Sequence, residues 1–481
     1  MQVELMAHQR EGIEFLLTQR SGLLAFEQGL GKTLVAIDAF RRAWAERKAD
    51  RLLVICPNSL KRNWLAELTK FAPEFKVEIA EGTPRARRDT FAKTKAHVVV
   101  TSYETARAEV TAIIALVQRL PTALVLDESH SAKNWKSLTA TAARQIAPHC
   151  AFRWLLSGTP VTNTPADLYA QVEILVPEKR PLGSLDAFMA TMEDDPNAAY
   201  VRDALNALML RKTKEECLDL PEKTFMDVRV ELPPWQRRLY DDMREKMACE
   251  IEAMSGQQYK AFAATALAQL SRLAQISSNP SLLMPDDGRS PGKFDALDGL
   301  VADMLSVPGR KVIIWSNYIK TIEALLDRFS SFGAVALYGK VSTSERQGIA
   351  QSFQTDPTVR VLIANPAAAG TGFTLTAAAF TIYETLSWRY DHYAQSQDRN
   401  HRIGQAHAVT YVRLIAADTI EEAIVDALER KASMAKALLG DAGIGAAVTH
   451  LSQQEMCALL LHNHLPPNPP PSVGTSAGSP V

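Results

Sequence analysis

Gly29-Leu30-Gly31-Lys32-Thr33 follows the apolar run Leu23–Phe26. Glycines at this spacing let backbone N–H groups approach phosphate oxygens. The lysine behind them neutralises the β- and γ-phosphates, and the threonine hydroxyl can ligate Mg²⁺. Gly29, Leu30, Gly31, Lys32 and Thr33 are therefore the candidate nucleotide loop. The general form of such loops, G-x-x-x-x-G-K-[S/T], wants a glycine where this chain has Phe26. Alone, the five residues leave an incidental G-K-T open.

Downstream, Leu124-Val125-Leu126 runs into Asp127-Glu128-Ser129-His130. An apolar strand here delivers two adjacent carboxylates at its C-terminal end. Asp127 can hold Mg²⁺ through water, and Glu128 can orient or deprotonate an attacking water. A strand ending in an exposed acidic turn reads the same way in isolation, but its place in a strand–helix alternation after the lysine loop argues for chemistry. Ser157-Gly158-Thr159-Pro160, after Trp154–Leu156, offers small hydroxyls that could sense the γ-phosphate; by itself it is a turn signal. Gln395 to Gln405 carries Arg399 and Arg402, three apart, which a helix would present on one face. Two guanidiniums aimed at a phosphate chain stabilise charge on the transferring group. The bland reading is a solvated basic face.

The frame around these motifs is α/β. Short apolar runs (Leu52–Cys56, Val98–Val100, Ala123–Leu126, Trp154–Leu156, Val312–Trp315, Val361–Ala364, Phe380–Tyr383, Val409–Ile415) read as buried parallel strands between helices. They fall into two groups, roughly 50–160 and 310–415, with helical stretches over 163–215 and 234–280. The expected layout is a first lobe over 1–225 including the 163–215 insertion, and a helical insertion and linker over 226–290. A second lobe follows over 291–440, then a C-terminal segment over 441–481. Its Leu451–Leu461 stretch reads as a capping helix or partner-docking segment, and the Pro-rich residues 465–481 cannot build a core.

Composition sets bounds. The chain has 481 residues, 47% hydrophobic and 22% charged, which allows two or three domains with ample core. Its five scattered cysteines include no C-x-x-C pair, so no disulfide framework or zinc ribbon is expected, and a reducing cytoplasm suits it. No apolar run has the length of a membrane span, and Met1–Arg10 has no secretory pattern. The net charge of −1 announces no nucleic-acid partner, so any phosphate binding must be local. Arg85, Arg87, Arg88, Lys93 and Lys95 form one candidate patch, and a solvated loop explains them equally well.

Together, in this order, these motifs resemble the Swi/Snf family of superfamily-two helicase-like ATPases over roughly residues 5–435, and Gln395–Gln405, ending in His-Arg-Ile-Gly-Gln, is especially characteristic. The resemblance implies two RecA-like P-loop lobes with parallel sheets plus helical insertions, with ATP and Mg²⁺ bound between them. Leu5–Gly12 looks like the family's glutamine motif, with Gln9 toward adenine. Cys56–Trp64 (Ser59, Lys61) and Thr101-Ser102-Tyr103-Glu104 look like its DNA-contacting motifs. Tyr338-Gly339 and Ala369–Leu375 look like those of the second lobe, with Gly370 and Gly372 assigned to the nucleotide. The resemblance makes Arg399 and Arg402 arginine fingers and places Gln395 with Lys32 and Glu128 in the catalytic set. Ser129 and the small size are similar to the annealing-helicase subgroup and to compact bacterial or phage members. Phe26, Ala367 and Thr374 depart from the family pattern; the last two bear on DNA coupling rather than on hydrolysis.

The implied activity is ATP-driven translocation on duplex DNA by a monomer, through sequence-tolerant backbone contacts. A strand-separating DNA or RNA helicase is the alternative within enzymes. A non-catalytic ATP-binding scaffold is the alternative outside them, disfavoured because Lys32, Asp127, Glu128, Arg399 and Arg402 are all present.

Overall fold

The computed structural model describes residues 4–161, 165–194, 199–258, 266–369, 373–438 and 460. Two all-parallel sheets organise them. The first has seven strands: β1 (Ser21–Phe26), β2 (Arg51–Cys56), β3 (Val77–Ile79), β4 (Val98–Ser102), β5 (Thr122–Asp127), β6 (Phe152–Leu156) and β7 (Met209–Lys212), in the order β3-β4-β2-β5-β6-β1-β7. The second has six: β8 (Lys223–Val230), β9 (Val312–Trp315), β10 (Ala334–Leu337), β11 (Val361–Ala364), β12 (Phe380–Tyr383) and β13 (Val409–Ala416), in the order β10-β11-β9-β12-β13-β8.

Parallel strands need crossover connections, so helices cover both faces and the strands become apolar on both sides. In β2, Leu53 and Ile55 pack into one core layer and Leu52 and Val54 into the layer on the opposite face. The second sheet is built the same way, Ile313 and Trp315 facing one layer and Val312 and Ile314 the other. Leu460 is buried in the second lobe's core, in the cluster that also holds Leu232 and Tyr240. The rest of the expected C-terminal helix and the Pro-rich tail lie outside the described residues.

Four strands differ from the sequence expectation. β3 is only three residues long, and β10 is four residues of small and branched side chains whose first two are only half-buried. β7 (Met-Leu-Arg-Lys) closes the first sheet from within the stretch expected to be helical. β8 lies within residues assigned to the lobe boundary and the second insertion, yet it pairs with β13 over its whole length. It reads poorly because it is an edge strand: Lys223 to Asp227 are all exposed, so no buried run marks it. The helical expectation holds otherwise, with Ala166–Leu175, Leu185–Asp194 and Ala199–Leu208 in the first lobe and Pro234–Glu252 and Ala266–Ser278 in the second.

Strand order sets the site. β5, β6 and β1 are neighbours, and Asp127 and Leu24 both lie in register with Leu156. The segments leaving these three strands, Asp127–His130, Ser157–Pro160 and the nucleotide loop, therefore emerge side by side at one sheet edge, where open α/β sheets bind ligands.

Candidate active site between the lobes

The nucleotide loop leaves β1 and enters helix α2 (Lys32–Ala45). Gly29 (φ 91°) and Gly31 (φ 81°) adopt left-handed conformations, and a side chain on Gly31 would also strike the Gln9 amide. These two glycines are thus required by the turn itself. The missing upstream glycine is not: Phe26 is a buried core residue, its ring edge-on to His8 at 5.8 Å. Leu30 also buries its side chain in that core, leaving only its backbone near the loop surface. On helix α1 (Ala7–Gln19), Gln9 accepts the Met6 N–H at 3.0 Å, and its amide points to the Leu30 carbonyl at 3.4 Å. It braces the loop and is not among the residues lining the cleft.

Lys32 is buried, and its Nζ donates to the carbonyls of Phe26 (2.9 Å) and Glu27 (3.3 Å). Burial pulls its pKa down, against the opposing pull of Glu128 and Asp127. Asp127 is held from three directions. Trp64 Nε1 donates to Oδ2 at 2.8 Å, the Glu128 N–H to Oδ1 at 3.0 Å, and the Tyr103 hydroxyl to the backbone carbonyl at 2.9 Å. Burial and the adjacent Glu128 push the Asp127 carboxyl upward. Glu128 sits at φ 49°, a left-handed conformation uncommon for a side-chain-bearing residue, and such strain gathers at functional sites. Burial opposes its ionisation, but His130, Lys32 and Arg399 outweigh burial and hold it below the ordinary glutamate range. Its buried Oε2 faces His130 Nδ1 at 3.3 Å.

His130 Nδ1 also lies 3.3 Å from Ser157 Oγ, joining the carboxylate turn to the Ser-Gly-Thr-Pro turn. Ser129 Oγ donates to Gln171 Oε1 at 2.6 Å, and Gln171 Nε2 donates to the Pro160 carbonyl at 2.7 Å. Both side chains are fully buried, so Gln171 ties the two turns together from beneath.

The second lobe completes the site. Arg399 and Arg402 line the same cleft of about 210 Å³ as Gln28, Gly29, Gly31, Lys32, Thr33, Asp127 and Glu128. They are not on a helix as their spacing suggested. The helix Tyr390–Gln397 ends before them, and they occupy the turn that follows. The turn nevertheless brings both guanidiniums to the cleft. Arg399 Nη2 donates to Gln28 Oε1 at 3.0 Å, a direct contact between lobes. Burial brings Arg399 down to about 10, against the pull of Asp398 and Glu128. Gln395 is buried on that helix and is not among the lining residues. Gly370 and Gly372 lie outside the described residues.

Of the residues expected to face nucleic acid, Ser59 is half-buried in the turn Asn58–Leu60 after β2. Lys61 Nζ is 3.2 Å from Glu81. Thr101 and Ser102 are buried, Ser102 capping the helix Tyr103–Ala108. Tyr103 is turned inward onto Asp127. The basic patch is partly spent within the fold: Arg87 and Arg88 reach Glu109 at 3.3 and 3.4 Å, and Lys93 pairs with Asp89 at 2.9 Å. Gln28, Leu60, Asn63, Trp64, Glu67 and Asp398 also line the cleft, although the sequence motifs did not assign them to it. Asn63, Trp64 and Glu67 recur at helical spacing on α3 (Lys61–Phe71), a signal that one face of this helix serves one surface.

Among the described residues no helix is long and apolar enough to cross a membrane. Residues 8–282 match the SNF2-related domain and residues 292–404 the helicase conserved C-terminal domain. A "Putative ATP-dependent helicase/translocase YwqA" of Bacillus subtilis is 30% identical over 94% of this chain and 50% of its own. The human "DNA annealing helicase and endonuclease ZRANB3" is 26% identical over 90% of this chain and 40% of its own. The solved "Sulfolobus solfataricus SWI2/SNF2 ATPase core in complex with dsDNA" is 26% identical, covers 91% of this chain and 94% of that one, and superposes with a TM-score of 0.43. The chain spans half or less of the length of the first curated relatives it matches. With both domain models laid end to end over two parallel-sheet lobes and one shared cleft, this chain belongs to the SNF2-related (Swi/Snf) family.

Proposed function

We propose that this chain hydrolyses ATP between its lobes and uses the cycle to move on duplex DNA. The observation that carries the reading is the reach of Arg399 and Arg402 from the second lobe into the lysine–carboxylate site of the first. A nucleotide held there touches both lobes, so its hydrolysis is tied to how they sit on each other.

The residues present fit a nucleotide with Mg²⁺. Thr33 offers a hydroxyl and Asp127 a buried carboxylate at one wall of the cleft. Among the described residues no cluster of three or more His, Cys, Asp or Glu could hold a metal unaided. That donor set suits Mg²⁺, which is commonly held by one or two protein ligands together with phosphates. When bound, the ion neutralises charge on the β- and γ-phosphates. Lys32 exchanges its two backbone carbonyls for phosphate oxygens. Glu128, kept ionised by His130, Lys32 and Arg399, orients the attacking water and accepts its proton. Arg399 and Arg402 stabilise charge on the transferring phosphoryl, a contribution of about 10³–10⁵ in rate for an arginine finger.

Nucleic-acid contact is assigned to the exposed rim of the turn Asn58–Leu60, mainly through phosphates, with the buried Thr101–Tyr103 segment at the end of the neighbouring strand as its support. Trp64 and Tyr103, anchored on Asp127, connect those two segments to the site. Displacement of a triplex-forming strand, with no separation of the underlying duplex, tests translocation. Robust strand separation would move the assignment to an unwinding helicase.

A further inference from the structure

We infer that Lys214 is a positioning residue that sets both arginine fingers in register with the nucleotide loop, by gripping the residue that precedes each finger. The inference rests on the reading of the cleft as an ATP-hydrolysing site. Lys214 belongs to the connector that leaves the first sheet after β7. Its side chain is 2% exposed, although nothing in the sequence around it marks a site. Its Nζ is bonded to the Asp398 carboxylate, and it donates to the His401 carbonyl at 2.6 Å. Asp398 precedes Arg399 and His401 precedes Arg402. One ammonium therefore fixes the backbone approach to both guanidiniums.

The other end of the connector is fixed to the nucleotide loop. The Lys214 backbone N–H donates to Glu27 Oε2 at 3.0 Å, and Arg211 Nη2 lies 3.1 Å from Glu27 Oε1. Arg211 Nη1 donates to the Ala25 carbonyl at 2.8 Å, and the Glu27 N–H to the Lys212 carbonyl at 3.0 Å. Farther along the connector, the Pro221 carbonyl is 2.8 Å from His401 Nε2. The connector is thus clamped to Glu27, four residues before Gly31, and to the finger turn. A shift of the finger turn must break the buried contacts of Lys214 or drag the nucleotide loop with it.

The chemistry explains why a lysine stands here. A buried ammonium costs free energy unless its donors find acceptors, and one carboxylate plus one carbonyl satisfy it only when the lobes meet. Burial lowers the Lys214 pKa, while Asp398 acts the other way. Asp398 is held ionised by Lys214 and Lys223 against its own burial. When the lobes part, both charges return to water. The contact therefore stabilises one arrangement of two, as a registering device should.

The test uses the full chain with one fluorophore on each lobe. ATP turnover and interlobe transfer with a non-hydrolysable ATP analogue are measured for wild type, K214M and K214R. K214M should lower kcat by at least about 30-fold, a conservative fraction of what an arginine finger supplies. KM for ATP should change less than threefold, roughly 0.6 kcal/mol. The high-transfer state formed with the analogue should be lost, and K214R should recover part of both signals. A K214M chain with kcat within threefold of wild type and an unchanged high-transfer state would overturn the inference. If K214M melts early, the same measurements at 10 °C decide. Recovery of wild-type turnover there would mean that Lys214 only supports the fold, which also overturns the inference; a persisting kcat deficit together with loss of the high-transfer state supports it. If wild type itself hydrolyses no ATP, the functional reading fails, while the interlobe measurement still tests Lys214.

Discussion

Replacing Trp64 by phenylalanine probes the wiring of the site with one atom group. The indole N–H donates to Asp127 Oδ2 at 2.8 Å, and Trp64 is 1% exposed, so the pair is largely shielded from solvent. A hydrogen bond to a charged group contributes about 1.5–3 kcal/mol. The smaller ring leaves a void costing about 1 kcal/mol more. Trp64→Phe should therefore destabilise the first lobe by roughly 2.5–4 kcal/mol, read from urea unfolding followed by circular dichroism. Tyr103→Phe removes a donor to a neutral carbonyl and should cost nearer 1 kcal/mol. Loss of the indole donor also pushes the Asp127 carboxyl further upward, because that bond favours its ionised form. The free Mg²⁺ needed for half-maximal hydrolysis should rise by about tenfold, the equivalent of 1.4 kcal/mol. A Trp64→Phe chain within 0.5 kcal/mol of wild type, with an unchanged Mg²⁺ requirement, would refute the claim that Trp64 holds Asp127.

Other consequences follow from the same geometry. Arg399→Ala should lower kcat by about 10³ with ATP binding to the first lobe retained, since the guanidinium acts from the second lobe; equal loss of binding would place it in ground-state recognition instead. Gln171→Leu strips partners from Ser129 Oγ and the Pro160 carbonyl and should cost about 2–3 kcal/mol, part of which Ser129→Ala recovers in the double variant. Strict additivity in that cycle would deny the link. Burial raises the thiols of Cys56 and Cys150, the latter to about 12, while Cys249 is exposed. In a Cys457→Ser background, a thiol reagent at pH 8 should modify Cys249 and leave Cys56 and Cys150 unreacted until unfolding.

The sequence was most legible where local backbone demands and chemistry coincide. Gly29 and Gly31 are glycines because their φ angles are positive, so the loop reads directly from composition. β2 and β5 read as strands because every residue in them is buried, as parallel strands covered on both faces must be. The same rule explains the failures. β8 lies at a sheet edge with its first five residues exposed, and β7 carries Arg211 and Lys212 for partners contributed by the loop after β1 and by α1. What pattern cannot show is long-range pairing. Trp64 meets Asp127, Gln171 meets Ser129 and Lys214 meets Asp398 across 63, 42 and 184 residues of chain. Nothing in the residues around Trp64, Gln171 or Lys214 marks these pairings. The segments Cys56–Trp64 and Thr101–Glu104 were read outward, toward nucleic acid, yet each also sends one buried side chain inward to Asp127.

Closing of this cleft on ATP should be coupled to duplex DNA. Steady-state ATP hydrolysis by wild type and Glu128→Gln, with no nucleic acid, duplex DNA, single-stranded DNA or RNA, measures it most directly. Wild type should be strongly stimulated by duplex DNA, and the stimulation should be lost in Glu128→Gln, in which binding of ATP persists. Hydrolysis that is absent in all four conditions, or undiminished in Glu128→Gln, would contradict it.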